Sequence, residues 1–446
     1  MSHRCGFPLS AFTARRQALL QYVGESGVAI IPTAPECRRN RDVYFPFRPS
    51  SDFVYLTGFA EPESVLVCVP GRPEGECILF CRPKDPEREV WDGYRVGVDA
   101  AAETLGVDQA FRFDQLNEMM PSLLGGRSRV YYDFGEQAAW DQAVLSWVRA
   151  VQEKVRTGIR APDQFLALQA YLHEARLLKS TDELAIMQQA ADISVRAHRK
   201  AMTLCQPGLH EYHLESALMA EFLAGGARSS AYASIVGSGQ NGCVLHYIEN
   251  DAPLNAGDLV LIDAGAELHY YAADITRTFP VSGTFSGEQK ALYEVVLQAQ
   301  RDAIAAVKVG ALWSDYDACA VRTLVSGLVD LGLLKGDVDN LIERKAHKPF
   351  YMHRTGHWLG MDVHDVGRYK LDDQWRKLEP GMVLTVEPGL YIAPHNEDVD
   401  ERWRGIGIRI EDDVVVQEGE PWVLTAGLPK TVEDIEALMA HGSGDS

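Results

Sequence analysis

Long apolar runs are missing from this 446-residue chain. None approaches the ~18 residues that a transmembrane helix needs, so no helical membrane span is expected. The first twenty residues, MSHRCGFPLSAFTARRQALL, alternate polar and apolar side chains without an apolar core, and no signal peptide is expected. Basic residues are scarce. Lys and Arg number 43 against 63 Asp and Glu, for a formal net charge of −20. Nucleic acid and anionic membranes both demand clustered positive charge, so neither is expected as a partner. Eight cysteines (Cys5, Cys37, Cys68, Cys77, Cys81, Cys205, Cys243, Cys319) form no CxxC pair. They read as small hydrophobes, reduced in a cytoplasmic protein. There is no short repeat, and no low-complexity tract beyond the final GSGDS.

What is present is an ordinary globular composition, 46% apolar and 24% charged, in a chain long enough for two domains. VAIIP (28–32), SVLVCVP (64–70) and CILFC (77–81) read as strands, and Phe12–Tyr22 as a helix, an α/β pattern. From Pro162 the spacing of Phe165, Leu168, Leu172 and Ala175 predicts a helix. Ser180 and Glu183 form a capping box opening another, with Ile186, Ala190, Ile193 and Ala197 on one face. The domain boundary belongs in this helical connector, near residue 175. Beyond it, a helix around Tyr212–Leu223 stops at Gly225-Gly226, and Ser286 with Gln289 caps a further one. Strands are expected at LVLID (259–263), near DITRTFPV (274–281), at MVLTVEP (382–388) and at GIGIRIEDDVVV (405–416).

The acids on those strands carry the chemistry. LVLID is a continuous apolar run, the mark of a buried strand, yet it ends in Asp263. Asp274 opens DITRTF, its plausible antiparallel neighbour. Glu387 closes MVLTVEP, and in GIGIRIEDD the period of two puts Arg409 and Glu411 on one face. Any one of these could be a solvated strand end. Four together are costly, because each buried carboxylate needs compensation worth several kcal/mol. Arg409 supplies one positive charge, whereas two divalent cations supply four.

HRTGHWLGMDVHD (353–365) spaces His353 and His357 as zinc ligands on a helix would be, with His364 further on. A zinc-protease helix reads HExxH, however, and here the glutamate is absent while Gly356 and Gly360 disfavour a long helix. One histidine with four carboxylates is a hard, oxygen-rich donor set, better suited to a pair of Mn²⁺ or similar ions than to thiolate-bound zinc. The other histidines then read as helpers.

These segments resemble a known family. VLIDAG with DITRTFPV, GHWLGMDVHDVG, LTVEPGLYI and GIGIRIEDD resemble the metal-binding segments of the methionine aminopeptidase and prolidase superfamily. Nearly the whole chain resembles its aminopeptidase P branch: SDFVYLTGFAEPESVLV (51–67) is similar to the start of that family's N-terminal domain, and IVGSGQNGCVLHYIEN (235–250) to its first catalytic segment. The resemblance implies an α+β protein, with a pita-bread catalytic domain over 176–446 preceded by a smaller α/β domain over 1–175, of the creatinase/aminopeptidase P type. It implies that Asp263 and Asp274 bind one metal and His357 and Glu387 the other, with Asp274 and Glu411 bridging. His246, His353 and His364 match histidines lining the substrate site, and Tyr232, Tyr391 and Arg409 match further substrate positions; His246, His353, His364, Glu387 and Arg409 are the implied catalytic groups. Arg160 lies in a loosely matching segment and receives no role. The implied cofactor is two divalent ions, Mn²⁺ first, with Co²⁺ or Zn²⁺ as alternatives. The implied partners are peptides with an Xaa-Pro N-terminus and further copies of the chain, in a dimer or tetramer. A prolidase would share the ligands but accept only dipeptides, and a non-catalytic pita-bread binding protein would have no need of all five ligands.

Overall fold

The structure, a computed structural model, describes residues 6–442. Cys5 and residues 443–446 of the GSGDS tail lie outside the described residues. The chain divides into two compact units, Met1–Ala175 and Arg176–Ser446. Among the described residues no helix is long and apolar enough to cross a membrane, and the seven described cysteines are free.

The N-terminal unit is built on a six-stranded mixed sheet in the order Gln109–Arg112, Cys77–Cys81, Val65–Cys68, Gly27–Pro32, Arg129–Tyr131, Gln164–Leu166. Its central strands are apolar at every position because both faces are covered. Val28, Ile30, Val65, Val67, Ile78 and Phe80 pack on one face against Met120, Leu124, Val144, Trp147 and Val151, from the helices Leu116–Leu124 and Ala138–Gln152. The helix expected from Pro162 forms only in its second half, where it carries Leu172 and Ala175. Residues Gln164–Leu166 instead add a parallel edge strand beside Arg129–Tyr131, and the helix begins only at Gln169, whose N–H is taken by Asp133. Phe165 and Leu166 are exposed on that edge, so Phe165 belongs to no helix face, whereas Leu168 and Leu172 are buried.

The second unit contains two α/β halves. In one, the helices Thr181–Leu204 and Glu211–Ala224 pack on each other; the matching sheet joins Ile235–Ser238, Leu259–Asp263 and Thr276–Pro280, all antiparallel. In the other, the helices Gly287–Ala306 and Trp313–Asp330 pack together, with an antiparallel sheet of Val383–Val386, Asp412–Val415 and Trp422–Val423. Both expected capping boxes form, at Ser180/Glu183 and Ser286/Gln289.

GIGIRIEDDVVV is not one strand but two. Gly407–Arg409 pairs with Gly389–Tyr391, and Asp412–Val415 pairs with Val383–Val386. Pro388 has no N–H to offer a ladder, so the facing strand is broken at Glu387-Pro388 and this one at Ile410-Glu411. In the gap, Glu411 N donates instead to Thr276 O at 3.1 Å, joining the two halves. The histidine-rich segment is likewise not helical. It lies along Val383–Val386, with Thr385 N bonded to His357 O, Glu387 N to Thr355 O and Leu359 N to Val383 O. A Cβ on Gly356 would stand 2.0 Å from Thr385 O, so only glycine allows this approach. The end of the segment is fixed by buried Asp365, which accepts from Arg176 (2.7 Å) and Lys179 (2.8 Å).

Candidate metal centre and active site

The two strand breaks, the end of Leu259–Asp263 and the residues leading into Thr276–Pro280 deliver four carboxylates, Glu387, Glu411, Asp263 and Asp274, to one cavity of about 600 Å³. Its wall includes Tyr232, His246, Asp263, Asp274, His353, His357, His364, Glu387, Arg409 and Glu411. Tyr391, also expected at the site, is fully buried behind that wall. Arg160 belongs to the N-terminal unit, exposed and paired with Asp163 at 2.6 Å.

Asp263 ends its strand and accepts from Arg409 Nη2 at 2.6 Å. Burial would raise its carboxyl, but Arg409 and the Tyr232 hydroxyl outweigh that and hold it below the usual range. The Tyr232 hydroxyl also reaches Asp274. One hydroxyl proton cannot satisfy two carboxylates at once, so this corner holds more acceptors than donors. Burial and Asp263 raise the Asp274 carboxyl. Burial and the neighbouring acids raise Glu411 well above its normal value, and burial pushes Glu387 up to about 7 against the pull of His357 and Arg409.

His357 Nδ1 donates to Trp358 O at 2.9 Å, since a carbonyl can only accept. That leaves Nε2 turned to Asp274 (3.4 Å) and Glu387 (3.7 Å). Burial disfavours its charge, yet the two acids overcome this and lift it to about 9. Asp274, His357 and Glu411 each present a donor atom within 4.8 Å of the others. Carboxylates raised by mutual repulsion and a histidine nitrogen aimed at them form a donor set short of positive charge, which divalent cations fit.

Around this set runs a chain of hydrogen bonds: Asp263 to Arg409, Arg409 Nη1 to Tyr391 Oη (2.9 Å), and Tyr391 Oη to His353 Nε2 (2.9 Å). His353 Nδ1 meets Arg354 O at 2.7 Å, so both its nitrogens are engaged, and burial and Arg409 keep it neutral with a pKa of about 3. His246 and His364 are more open to the cavity, and the His364 ring lies 4.1 Å from that of His357.

Two threonines went unread in the sequence. Thr276 Oγ1 donates to Glu411 at 2.6 Å and accepts from Arg409 Nε at 3.0 Å. Thr385 Oγ1 accepts from His357 N at 3.1 Å and donates to Glu387 at 3.3 Å. Each stands two residues from an acid on the same face, Thr276 after Asp274 and Thr385 before Glu387. The period-of-two alternation was the available signal.

A set of carboxylates and histidines short of cations, on a two-halved α/β frame, has the donor chemistry of a divalent-metal site. The model of metallopeptidase family M24 matches residues 185–418, and that of the aminopeptidase P N-terminal domain matches residues 12–131. The chain belongs to metallopeptidase family M24, and its fold is the pita-bread catalytic domain with a smaller N-terminal domain. It is similar to the Xaa-Pro aminopeptidase of Escherichia coli (strain K12), 48% identical over 96% of this chain and 97% of that one. It is also similar to the structure of Pseudomonas aeruginosa aminopeptidase PepP, with a TM-score of 0.97 and 53% identity, covering 98% of this chain and 99% of that one. Zn-substituted E. coli aminopeptidase P in complex with product matches with a TM-score of 0.95 and 48% identity, over 98% and 99% of the two chains.

Proposed function

We propose that this metallopeptidase releases the N-terminal amino acid from peptides whose second residue is proline. The observation that carries the proposal is the convergence of Asp274, His357 and Glu411 in a cavity that Asp263 and Glu387 also line. Asp263 and Asp274 would hold one divalent ion and His357 and Glu387 the other, with Asp274 and Glu411 serving both. Mn²⁺ suits this oxygen-rich set best, with Co²⁺ or Zn²⁺ able to substitute. Divalent ions held there would supply Lewis acidity, lowering the pKa of a water and polarising the scissile carbonyl.

The chain's own groups do the rest. Glu387, 3.7 Å from both His353 and His357, is placed to move a proton from the attacking water to the leaving nitrogen. His246 and His364 hydrogen-bond the substrate and the oxygen that gains charge, while Arg409 and Tyr391 fix His353. Ile235, Leu245 and Val363 give the cavity an apolar wall that a prolyl ring can fill. An amide to proline has no N–H, so a site that grips the ring rather than the N–H accepts what many peptidases bind poorly.

The chain works as a homo-oligomer, a dimer or tetramer, in the cytoplasm. Val90, Trp91 and Tyr94 support the assembly, being 81–85% exposed around one short helix. The free thiols support a reducing compartment. The test is a comparison of Xaa-Pro-Yaa, Xaa-Ala-Yaa and Xaa-Pro peptides with added Mn²⁺. The proline tripeptide should be cleaved far faster than the alanine one, with release of free Xaa. Equal rates would overturn the specificity, and cleavage of the dipeptide alone would make the enzyme a prolidase.

A further inference from the structure

Residues 244–252 form neither helix nor strand, yet they bring Leu245, His246 and Ile248 to the cavity wall. Such a stretch has no ladder of its own to hold it, so its place depends on side chains from elsewhere. One side chain does most of this. Glu211, the first residue of the helix Glu211–Ala224, is 0% exposed. Its Oε1 accepts from Ser238 N (2.7 Å) and Asn241 Nδ2 (3.1 Å), where the chain enters the segment. Its Oε2 accepts from Tyr247 Oη (2.9 Å), the residue after His246, and from Ala252 N (2.9 Å), where the chain leaves it. Its own N–H donates to Ala252 O at 3.0 Å.

Four donors on one carboxylate use its acceptor capacity fully, and a negative charge is favoured at a helix N-terminus. Asn250 braces the same stretch, taking Val236 N (3.0 Å) and giving to Ser234 O (2.8 Å), from a left-handed φ of 51° that asparagine tolerates. All the hydrogen-bond partners of the Glu211 carboxylate lie in residues 238–252; none is a member of the metal set.

We infer that Glu211 is a positioning residue: its buried carboxylate ties the 238–252 segment down and so holds His246 at the cavity. The consequence for catalysis rests on the role given to His246 above. Glutamine at this position keeps the size but turns an NH₂ toward at least one pair of donors, orphaning buried N–H or O–H groups. Glu211→Gln should therefore lower kcat/KM on the proline tripeptide by on the order of tenfold to a hundredfold. Amide exchange of residues 244–252 should quicken, with metal content at the wild-type level. Tyr247→Phe, which removes one partner only, should move both readouts the same way by less, and it serves in place of Glu211→Gln should that variant not fold.

The decisive measurement is a double-mutant cycle. In a His246→Ala background, Glu211→Gln should cost less than twofold, because the group it positions is already gone. An equal loss in both backgrounds, or a loss without faster exchange at 244–252, would overturn the inference. Full activity in His246→Ala alone would instead overturn the substrate role of that histidine; amide exchange then decides the anchoring by itself.

Discussion

His198 offers a pH test of how the site is supported from behind. It lies on the helix Thr181–Leu204, 0% exposed, and its Nε2 stands 2.9 Å from the carbonyl of Ala264, the residue after Asp263. The carbonyl can only accept, so Nε2 carries the proton; Nδ1, buried, has no hydrogen-bond partner among the described residues. A second proton would put a charged N–H where nothing can receive it. Burial accordingly lowers the pKa from 6.5 to about 4, a shift the Ala264 bond opposes and the Arg277 charge adds to. Between those values the unfolded chain takes up a proton that the folded chain refuses, so stability rises with pH across this window. It is complete above about 6.5 and reduced by about 3 kcal/mol below 4. His198→Gln keeps a donor for Ala264 and removes the titration. Unfolding free energies of metal-free wild type and variant, read from amide exchange in the strand Leu259–Asp263, report this unit alone. Relative to its value at pH 7.5, the wild type's stability should fall below the variant's by about 2.5 kcal/mol at pH 4.5. Parallel curves for the two proteins would refute the assignment of a neutral, unprotonatable His198.

Three further perturbations address the centre and its surroundings. Asp274→Asn keeps the volume but removes one of four charges and weakens the ligand proposed to serve both ions, so at least one metal and nearly all activity should be lost while circular dichroism stays native; two tightly held ions with full turnover would sink the dinuclear assignment. Chelated wild type should likewise stay folded, lose activity, and regain it with Mn²⁺ better than with Mg²⁺. His364→Ala removes a proposed substrate donor but no proposed metal ligand, so kcat should fall on the order of 10²- to 10³-fold with unchanged metal content by elemental analysis; loss of metal would promote this histidine to a ligand.

Sequence alone reached the strands that carry Asp263 and Glu387, because a buried strand must be apolar and an acid at its end is conspicuous. It reached the capping boxes at Ser180 and Ser286 for a similar reason: two residues three apart satisfy each other locally. It also excluded a zinc helix at His353–His357, since glycines and a missing glutamate are visible without a fold. The first turns of the helix expected from Pro162 failed because apolar spacing cannot distinguish a core-facing helix from an exposed edge strand whose partner, Arg129–Tyr131, lies over thirty residues away. The break at Ile410-Glu411 was equally hidden. It answers Pro388 across a strand pair that only the fold brings together. Tertiary structure alone decided which atoms meet: the donor geometry of Asp274, His357 and Glu411, the Asp263–Arg409–Tyr391–His353 chain, and the anchoring of the His246 segment by Glu211. These contacts span tens to more than a hundred residues of sequence, and the hydrogen bonds that fix them exist only once burial has removed water as the competing partner.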